Sequence, residues 1–561
     1  MRRLLLFAIL FILATQSLMS QDVPDIDAVM LFLGVDDPGD ADEEEVERLM
    51  AILDAPLALN RAPAAELRSC GLFTPYQTAV IEDYRSRHGD ILSLYELSLL
   101  DGFNDAYVRK LTPFITLQSK GPSDKDELSV RHELAVRSGY RWKEADGSDG
   151  SYGLKYRLSS TRYSLVTALS RAAGTQSWYP SEISGSFAWK FRKREGQLML
   201  GDFNARFGQG LTLWNGLFMT SLTTPDTFMK RPTGLSQPWS FTGSTALTGL
   251  AGDFRVGPFV ISGMLAVSDK RMLTPAMNVA WYGRFGQVSL TNVVQCDIKG
   301  SGGEVKTGLD AAFCVRGVNL FGELSFDWTA KRIKALAGTR FRTGEYMDMS
   351  LQLRGFQGDQ YGLVVGGEFS RGRHNGSWTM DATYHPLSKD PSDPYSLQLK
   401  SHLLWEFLLM KNMQLKIRVS ERIRTWGLPY RTDVRADLKY DFSPFGVLLR
   451  LNILKCDAVG FLTYAEGSYS SGGLSLHLRQ GLFIIDDWDD RIYVYERDAP
   501  GSFNAPAMYG RGLWTSAVAG MKFSDRIRLY LRAAYTCYPF MDMEKKKPGK
   551  AELKLQLQCR F

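Results

Sequence analysis

The sequence predicts an all-β transmembrane barrel of about 24 antiparallel strands, with 22–26 as the range, preceded by a small all-α domain. Three observations carry this. From Ser129 onward apolar and polar residues alternate with a period of two, in runs of about 10 residues or more, the length that crosses a bilayer when tilted. The connections between these runs alternate between short and long. The 561-residue chain ends on an aromatic, Phe561, which completes an alternating run.

The alternation is explicit. Met347, Met349, Leu351 and Leu353 interleave with Asp348, Ser350, Gln352 and Arg354. Met413, Leu415, Ile417 and Val419 interleave with Gln414, Lys416, Arg418 and Ser420. Leu474, Leu476 and Leu478 flank Ser475 and His477, and Leu553, Leu555, Leu557, Cys559 and Phe561 close the chain against Glu552, Lys554, Gln556, Gln558 and Arg560. Each run presents one greasy and one charged face. Long links fall at 143–151, 173–182, 205–242, 268–275, 297–304, 386–395, 422–430, 486–511 and 538–550. Short ones fall between them, as at 161–162, 256–258, 372–376, 411–412, 442–444 and Ser524-Asp525. Short turns on one rim and long loops on the other are the layout of an outer-membrane barrel. A water-soluble sandwich also alternates, but it would pave a whole sheet face with charge. The terminal Phe561 resembles the C-terminal signal of bacterial outer-membrane barrels, without the glycine often seen there. An even strand count returns both ends of the barrel, 129–561, to one side. The helical domain is therefore expected in the periplasm, with the long loops facing outward and lipid as the partner of the outer wall.

Composition removes other classes. The only long apolar run, Leu4–Ala14, is too short for a spanning helix, which excludes a polytopic helical membrane protein. The 31 Phe, 24 Tyr and 12 Trp exclude disorder over most of the chain. A net charge of +6 is small for this length and gives no footprint for nucleic acid. The six Cys form no CxxC pair and no metal spacing. Arg2-Arg3, the apolar run and the small or polar residues up to Ser20 read as a secretory signal peptide, 1–20.

Residues 21–55 are an acidic segment, with twelve acids and one base, Arg48, between 22 and 54. Such a block is expected to be solvated or loosely helical. Val46, Leu49, Met50 and Leu53 keep helical spacing, so a short amphipathic helix should end it. Residues 56–118 read as short helices, with Asn60 a candidate cap, a Ser93/Glu96 capping-box pair, and turns at Cys70-Gly71-Leu72-Phe73 and Asp101-Gly102-Phe103-Asn104. A linker, 119–128, follows. Leu57-Ala58-Leu59-Asn60, Ala62, Glu66-Leu67, Gly71, Ile81, Tyr84-Arg85, Gly89, Ser93, Glu96-Leu97 and Gly102 resemble the tandem helix-hairpin-helix domain of competence-type DNA-binding proteins. In that family a Gly-hydrophobic-Gly turn meets a phosphate at a helix N-terminus. The resemblance implies Gly71, Leu72, Phe73 and Gly102, Phe103, Asn104 as the two hairpin turns. Phe73 and Asn104 replace the second glycine of each. Across 60–115 six bases face seven acids. A protein-interaction or plug module, with a periplasmic protein partner, is therefore expected ahead of DNA binding.

The two longest connections, 202–242 and 486–512, are candidates to fold inward, where Arg–carboxylate pairs can lock a loop to a charged wall as a constriction or lid; the plainer expectation is that they fill the mouth. They supply Asp202, Arg206, Gln209 and Trp214 from one, and Arg491, Glu496, Arg497 and Asp498 from the other. With the hairpin domain they also resemble an exported barrel family of Bacteroidetes-type bacteria, which implies architecture more than activity. Asp486, Asp487, Asp489 and Asp490 are weak Ca²⁺ candidates, off the EF-hand spacing. Trp178, Tyr179, Trp281, Tyr282, Trp405 and Trp426 are candidates for interface girdles. No cofactor and no catalytic residue is expected. Ser475 and His477 share a face without an evident orienting carboxylate, which leaves a lipid-modifying enzyme as the weakest alternative. The leading expectation is a channel, transport or assembly component, with DNA uptake as the runner-up.

Overall fold

The computed structural model describes residues 26–35, 42–119 and 130–561, apart from 145–146, 176, 192–194, 217–221, 239, 242–245, 269–271, 284, 298–302, 387–395, 525 and 542–546. The signal peptide, residues 21–25 and 36–41 of the acidic segment, and nearly all of the linker lie outside the described residues.

Among the described residues six α-helices form the N-terminal module: α1 (Ile26–Leu33), α2 (Glu43–Asp54), α3 (Ala64–Ser69), α4 (Pro75–His88), α5 (Leu94–Ser98) and α6 (Asp105–Leu111). Local chemistry sets their ends. Asp42 caps α2 by accepting from Glu44 N, and Glu43, Glu44 and Glu45 sit in the first turn, where the helix dipole favours them. Thr74 and Gln77 form a full capping box ahead of Pro75 at the start of α4. Ser93 caps α5, but Glu96 turns away from the box and accepts from Leu92 N. Asn104 caps α6 by accepting from Tyr107 N. Asn60 caps no helix. It clasps the module by donating to Ile91 O and Leu117 O and accepting from Ile91 N. A parallel bridge of Leu57–Ala58 with Ile115–Thr116 ties together the two ends of the segment that carries α3 to α6. Phe32, Leu49, Leu59, Leu67, Leu72, Phe73, Ile81, Leu97 and Phe114 are fully buried in one core. Each such side chain contributes roughly 1.5–3 kcal/mol of apolar burial.

The rest is a closed antiparallel barrel of 24 strands. Arg131–Lys143 pairs with Lys550–Arg560 to close the ring, from Glu133↔Arg560 to Lys143↔Lys550. One rim carries turns of two to four residues, and the other carries every long connection, including 207–246 and 486–509. The first strand starts, and the last strand ends, on the short-turn rim. Alternation sorts the wall as the pleat requires. Leu449, Leu451 and Ile453, or Leu553, Leu555 and Leu557, are exposed on the outside, whereas Arg450 and Asn452, or Gln556, are buried on the lumen side. Trp281 and Trp405 share the outer face, but Tyr282 points inward and lines a lumen cavity. Among the described residues no helix is long and apolar enough to cross a membrane.

Candidate functional site: the lumen and its helical filling

The lumen is occupied by the chain's own residues. The module seats in the short-turn end and is bonded around that rim. Asn104 Nδ2 donates to Asp348 Oδ2 at 2.8 Å, Asp105 pairs with Arg342 at 3.4 Å, and Glu82 pairs with Arg255 at 3.3 Å. Asp54 is held by Arg528 and, at 2.6 Å, by Arg560. Lys110 bridges Asp226 and Glu368, each at 2.8 Å, and so fastens α6 to the wall and to the 207–246 loop at once.

From the long-loop side, the described residues of 207–246 turn inward. Gly234–Ser236 adds a short inner strand to Asn204–Arg206. Glu323 on the wall accepts from Gln209 N, Leu211 N, Thr212 N and Thr212 Oγ1 at 2.6–3.1 Å, which spends both carboxylate oxygens on one turn. The 486–509 loop descends as well. It forms a small ladder, Ile492–Tyr493 with Ala507–Met508, and Tyr495 enters the module's core cluster. Three elements thus meet in mid-lumen.

The amphipathic helix expected at the end of the acidic segment forms as α2, but its acids are not solvated: it lies inside the barrel with Glu44, Glu47 and Arg48 buried. Its partners are cations of the lumen wall and the inward loop. Arg206 Nη2 pairs with Asp42 at 2.9 Å, Asn204 donates to Glu44, and the charges of Arg137, Lys155, Lys230 and Arg231 bear on Glu43, Glu45 and Glu47. Burial raises the Asp42, Glu43 and Glu44 carboxyls, with Arg206 or Arg137 pulling back. Burial likewise raises Glu47 against the opposing pull of Lys155. Burial would also raise Asp226, but Lys110, Arg340 and Arg231 hold it well below the usual carboxylate range.

The sequence-derived residues fall into three groups. Arg206, Gln209, Trp214, Glu496, Arg497 and Asp498 converge on the filled lumen. The Arg206 guanidinium lies 5.6 Å from the Trp214 ring centre, and Gln209 Oε1 accepts from Lys230 N. Glu496 pairs with buried Arg532, Arg497 with Glu466 at 2.7 Å, and Asp498 with Lys554 at 2.6 Å. Asp202 does not join them. It sits on the outward face with Leu198 and Leu200 and ties neighbouring strands by accepting from Gly185 N and Thr248 Oγ1. Arg491 also stays apart, packed on Trp488 in the outer part of its loop.

The four aspartates do not form a cation site. Asp490 accepts from Cys456 N and Ala458 N, Asp486 is taken by Arg511, and Asp487 accepts from Asp489 N. Among the described residues no three His, Cys, Asp or Glu side chains converge as metal ligands. His477 does have a carboxylate nearby, Glu466 at 3.8 Å, but Arg479 and Arg497 already hold that group.

At the two expected turns Gly71 stands at φ 75° and Gly102 at φ 83°, conformations that glycine adopts freely. The chain's own residues pack around both. Phe73 is core, the Arg48 guanidinium packs against Gly71, Gln77 Nε2 donates to Gly102 O, and Asn104 is spent on α6 and Asp348. Sequence reading missed Lys110, Asp226, Glu323, Asp348 and Glu368. The available signal was acids placed on the polar face of strands, which alternation alone leaves without partners.

No family model and no curated protein matches this chain. Among solved structures it is similar to the P pilus usher (PapC) translocation pore, with 8% identity over 77% of this chain and 99% of that one at a TM-score of 0.39. The copper transporter OprC gives 7% identity over 79% and 82% at 0.43. The siderophore receptor PirA from Pseudomonas aeruginosa gives 8% over 79% and 82% at 0.42.

Proposed function

We propose that the chain is an outer-membrane transport component, a wide barrel whose passage is gated by its own helical module from the periplasmic side. The observation that carries this is the seam itself. The module is joined to the wall and the inward loop by reversible ion pairs and hydrogen bonds, centred on Lys110, Asp226 and Glu368. A polar lumen face supports passage of hydrophilic solutes, because their path would be lined by Asn278, Gln287, Ser289 and Asp310 rather than by apolar side chains. Short turns on the module's rim support a periplasmic placement for it. A 24-stranded wall encloses more space than its own side chains can fill, so a plug is the expected way to keep the membrane tight. The module's exposed side then offers a surface for a periplasmic protein. The chain is read as a non-enzyme. DNA uptake draws no support from the hairpins, whose helix N-termini are capped by Thr74, Gln77 and Asn104 and turned into the barrel.

The test is solute permeation through proteoliposomes. The full mature chain should admit small sugars slowly, and a chain lacking 21–118 should admit them rapidly. Equal permeation by both would overturn the gate.

A further inference from the structure

We propose that the seam between the module and the barrel wall holds a binding site for a small neutral polyhydroxy solute, of about monosaccharide size, built on Gln287 and Thr233. The site is a cavity where three elements meet: α3 with Arg68, the inward loop with Thr233, and the wall from Gln197 to Asp310. Water-sized spheres can place their centres over about 70 Å³ there, several times the roughly 10–15 Å³ that one water needs. A Cβ added to Gly234, in the same lining, would meet no atom within 4 Å.

Strand register gathers the polar wall of this cavity. Gln197 is directly opposite Asp253, Asp253 opposite Ser262, and Ser262 opposite Asn278. Ser289 is opposite Asp310, and Gln287 is opposite Tyr282. Residues so paired share one face, with Cβ atoms about 4.5–5.5 Å apart. Most of these groups fix one another. Asn278 Nδ2 donates to Ser289 Oγ at 3.2 Å and to Thr291 Oγ1 at 2.8 Å. Ser289 donates to Asp310, and Gln197 Nε2 donates to Asp253 at 2.8 Å. Gln287 and Thr233 stand apart from this network. They are 4% and 3% exposed, both line the cavity, and neither Gln287 Oε1 nor Thr233 Oγ1 has a hydrogen-bond partner. Buried polar atoms are costly to leave unpaired, and these two, from the wall and the loop, border one space with room for a ligand.

The lining selects the class of solute. Gln287 Oε1 only accepts, and the Asp253 and Asp310 carboxylates add further acceptors, so the ligand must bring several donors. Two carboxylates disfavour an anion, and the Arg68 guanidinium disfavours an amine. Hydroxyl groups meet both conditions, and the rings of Phe207 and Tyr282 suit the C–H faces of a polyol. The site deepens the transport reading by naming a solute. It requires the module to be docked, not that it ever leaves, so binding and gating fail separately.

The experiment is saturation-transfer NMR on the full mature chain in a detergent without sugar headgroups, with D-glucose, D-galactose and D-ribose as probes. Saturable transfer to at least one sugar is expected. Gln287→Met should weaken it about threefold or more, and Gln287→Met/Thr233→Val about tenfold, as the loss of one and two hydrogen bonds implies. Should the double variant fail to fold, Ala280→Phe carries the test by filling the cavity, and should abolish binding. Putrescine and inorganic phosphate should not displace the sugar. No saturable transfer to any of the three sugars, parent-like binding by the variants, or displacement by either ion would overturn the proposal. Sugar binding that responds to these substitutions supports it whatever the permeation assay returns.

Discussion

Replacing Lys110 with methionine should unfasten the module. Lys110 is 8% exposed and touches Asp226, 1% exposed, and Glu368, 10% exposed. Removing one partner of a buried ion pair usually costs about 3–5 kcal/mol, because the remaining charge stays buried. Here the cost is smaller. Arg231 lies 3.9 Å from Asp226 and Arg340 3.7 Å from Glu368, so each acid keeps a more distant cation. We place the loss at about 2–3 kcal/mol, a shift of roughly 30- to 150-fold in the ratio of docked to undocked module. Planar-bilayer recording reads this ratio as open time, and heat-modifiable migration in gels reports whether the barrel is intact. Lys110→Met should conduct far more often than the parent. The double variant Lys110→Met/Asp226→Asn should recover part of the loss, since it removes one stranded charge. An intact Lys110→Met barrel that stays closed like the parent would refute this account of the seam.

Three further outcomes are expected. Phe114→Ala deletes a fully buried ring packed 5.1 Å from Phe32, and should cost the module about 3–5 kcal/mol while leaving the barrel transition in place, read as two separated steps in thermal unfolding. Glu323→Ala leaves three backbone N–H groups of the 209–212 turn without their acceptor, at about 1–3 kcal/mol for each one that stays buried, and should raise hydrogen exchange across that turn without affecting Phe114. Docking should weaken at both pH extremes. The depressed Asp226 carboxyl contributes stability that is present above its unfolded value near pH 3.9 and lost as pH falls from there towards its folded value. The raised Glu47 carboxyl contributes stability that is present at acid pH and lost as pH rises through its folded value. Asp226→Asn should flatten the acid limb of a conductance–pH curve and Glu47→Gln the alkaline limb.

The barrel was legible because its information is local. A lipid-facing position must be apolar and its neighbour along the strand faces the lumen, so Leu553 to Arg560 declare both faces within eight residues. The helices were legible for the same reason, through Ser93 and the spacing of Val46, Leu49 and Leu53. The location of the acidic helix was not legible. Its cations, Arg137, Lys155, Arg206 and Lys230, are spread over nearly a hundred residues of sequence, and three of them sit singly among alternating residues that look like ordinary pore lining. An acidic block met alone resembles a solvated tail, and only ring closure gathers the compensating charge around it. Asp202 failed for a related reason, since it belongs to the wall strand Gly196–Arg206 and not to the loop that follows. Asp490 was grouped with its acidic neighbours, although its role is to cap the Cys456–Ala458 turn.

The helical module lies within the barrel's short-turn end. The most direct test of that placement is a photo-crosslinking residue, p-benzoylphenylalanine, placed at Asp105 and irradiated in intact cells. Asp105 is 3.4 Å from Arg342 on the wall. The expected product is an adduct within the same chain to the segment around 332–346, found by mass spectrometry. Adducts to other proteins alone, with none to the barrel wall, would contradict it.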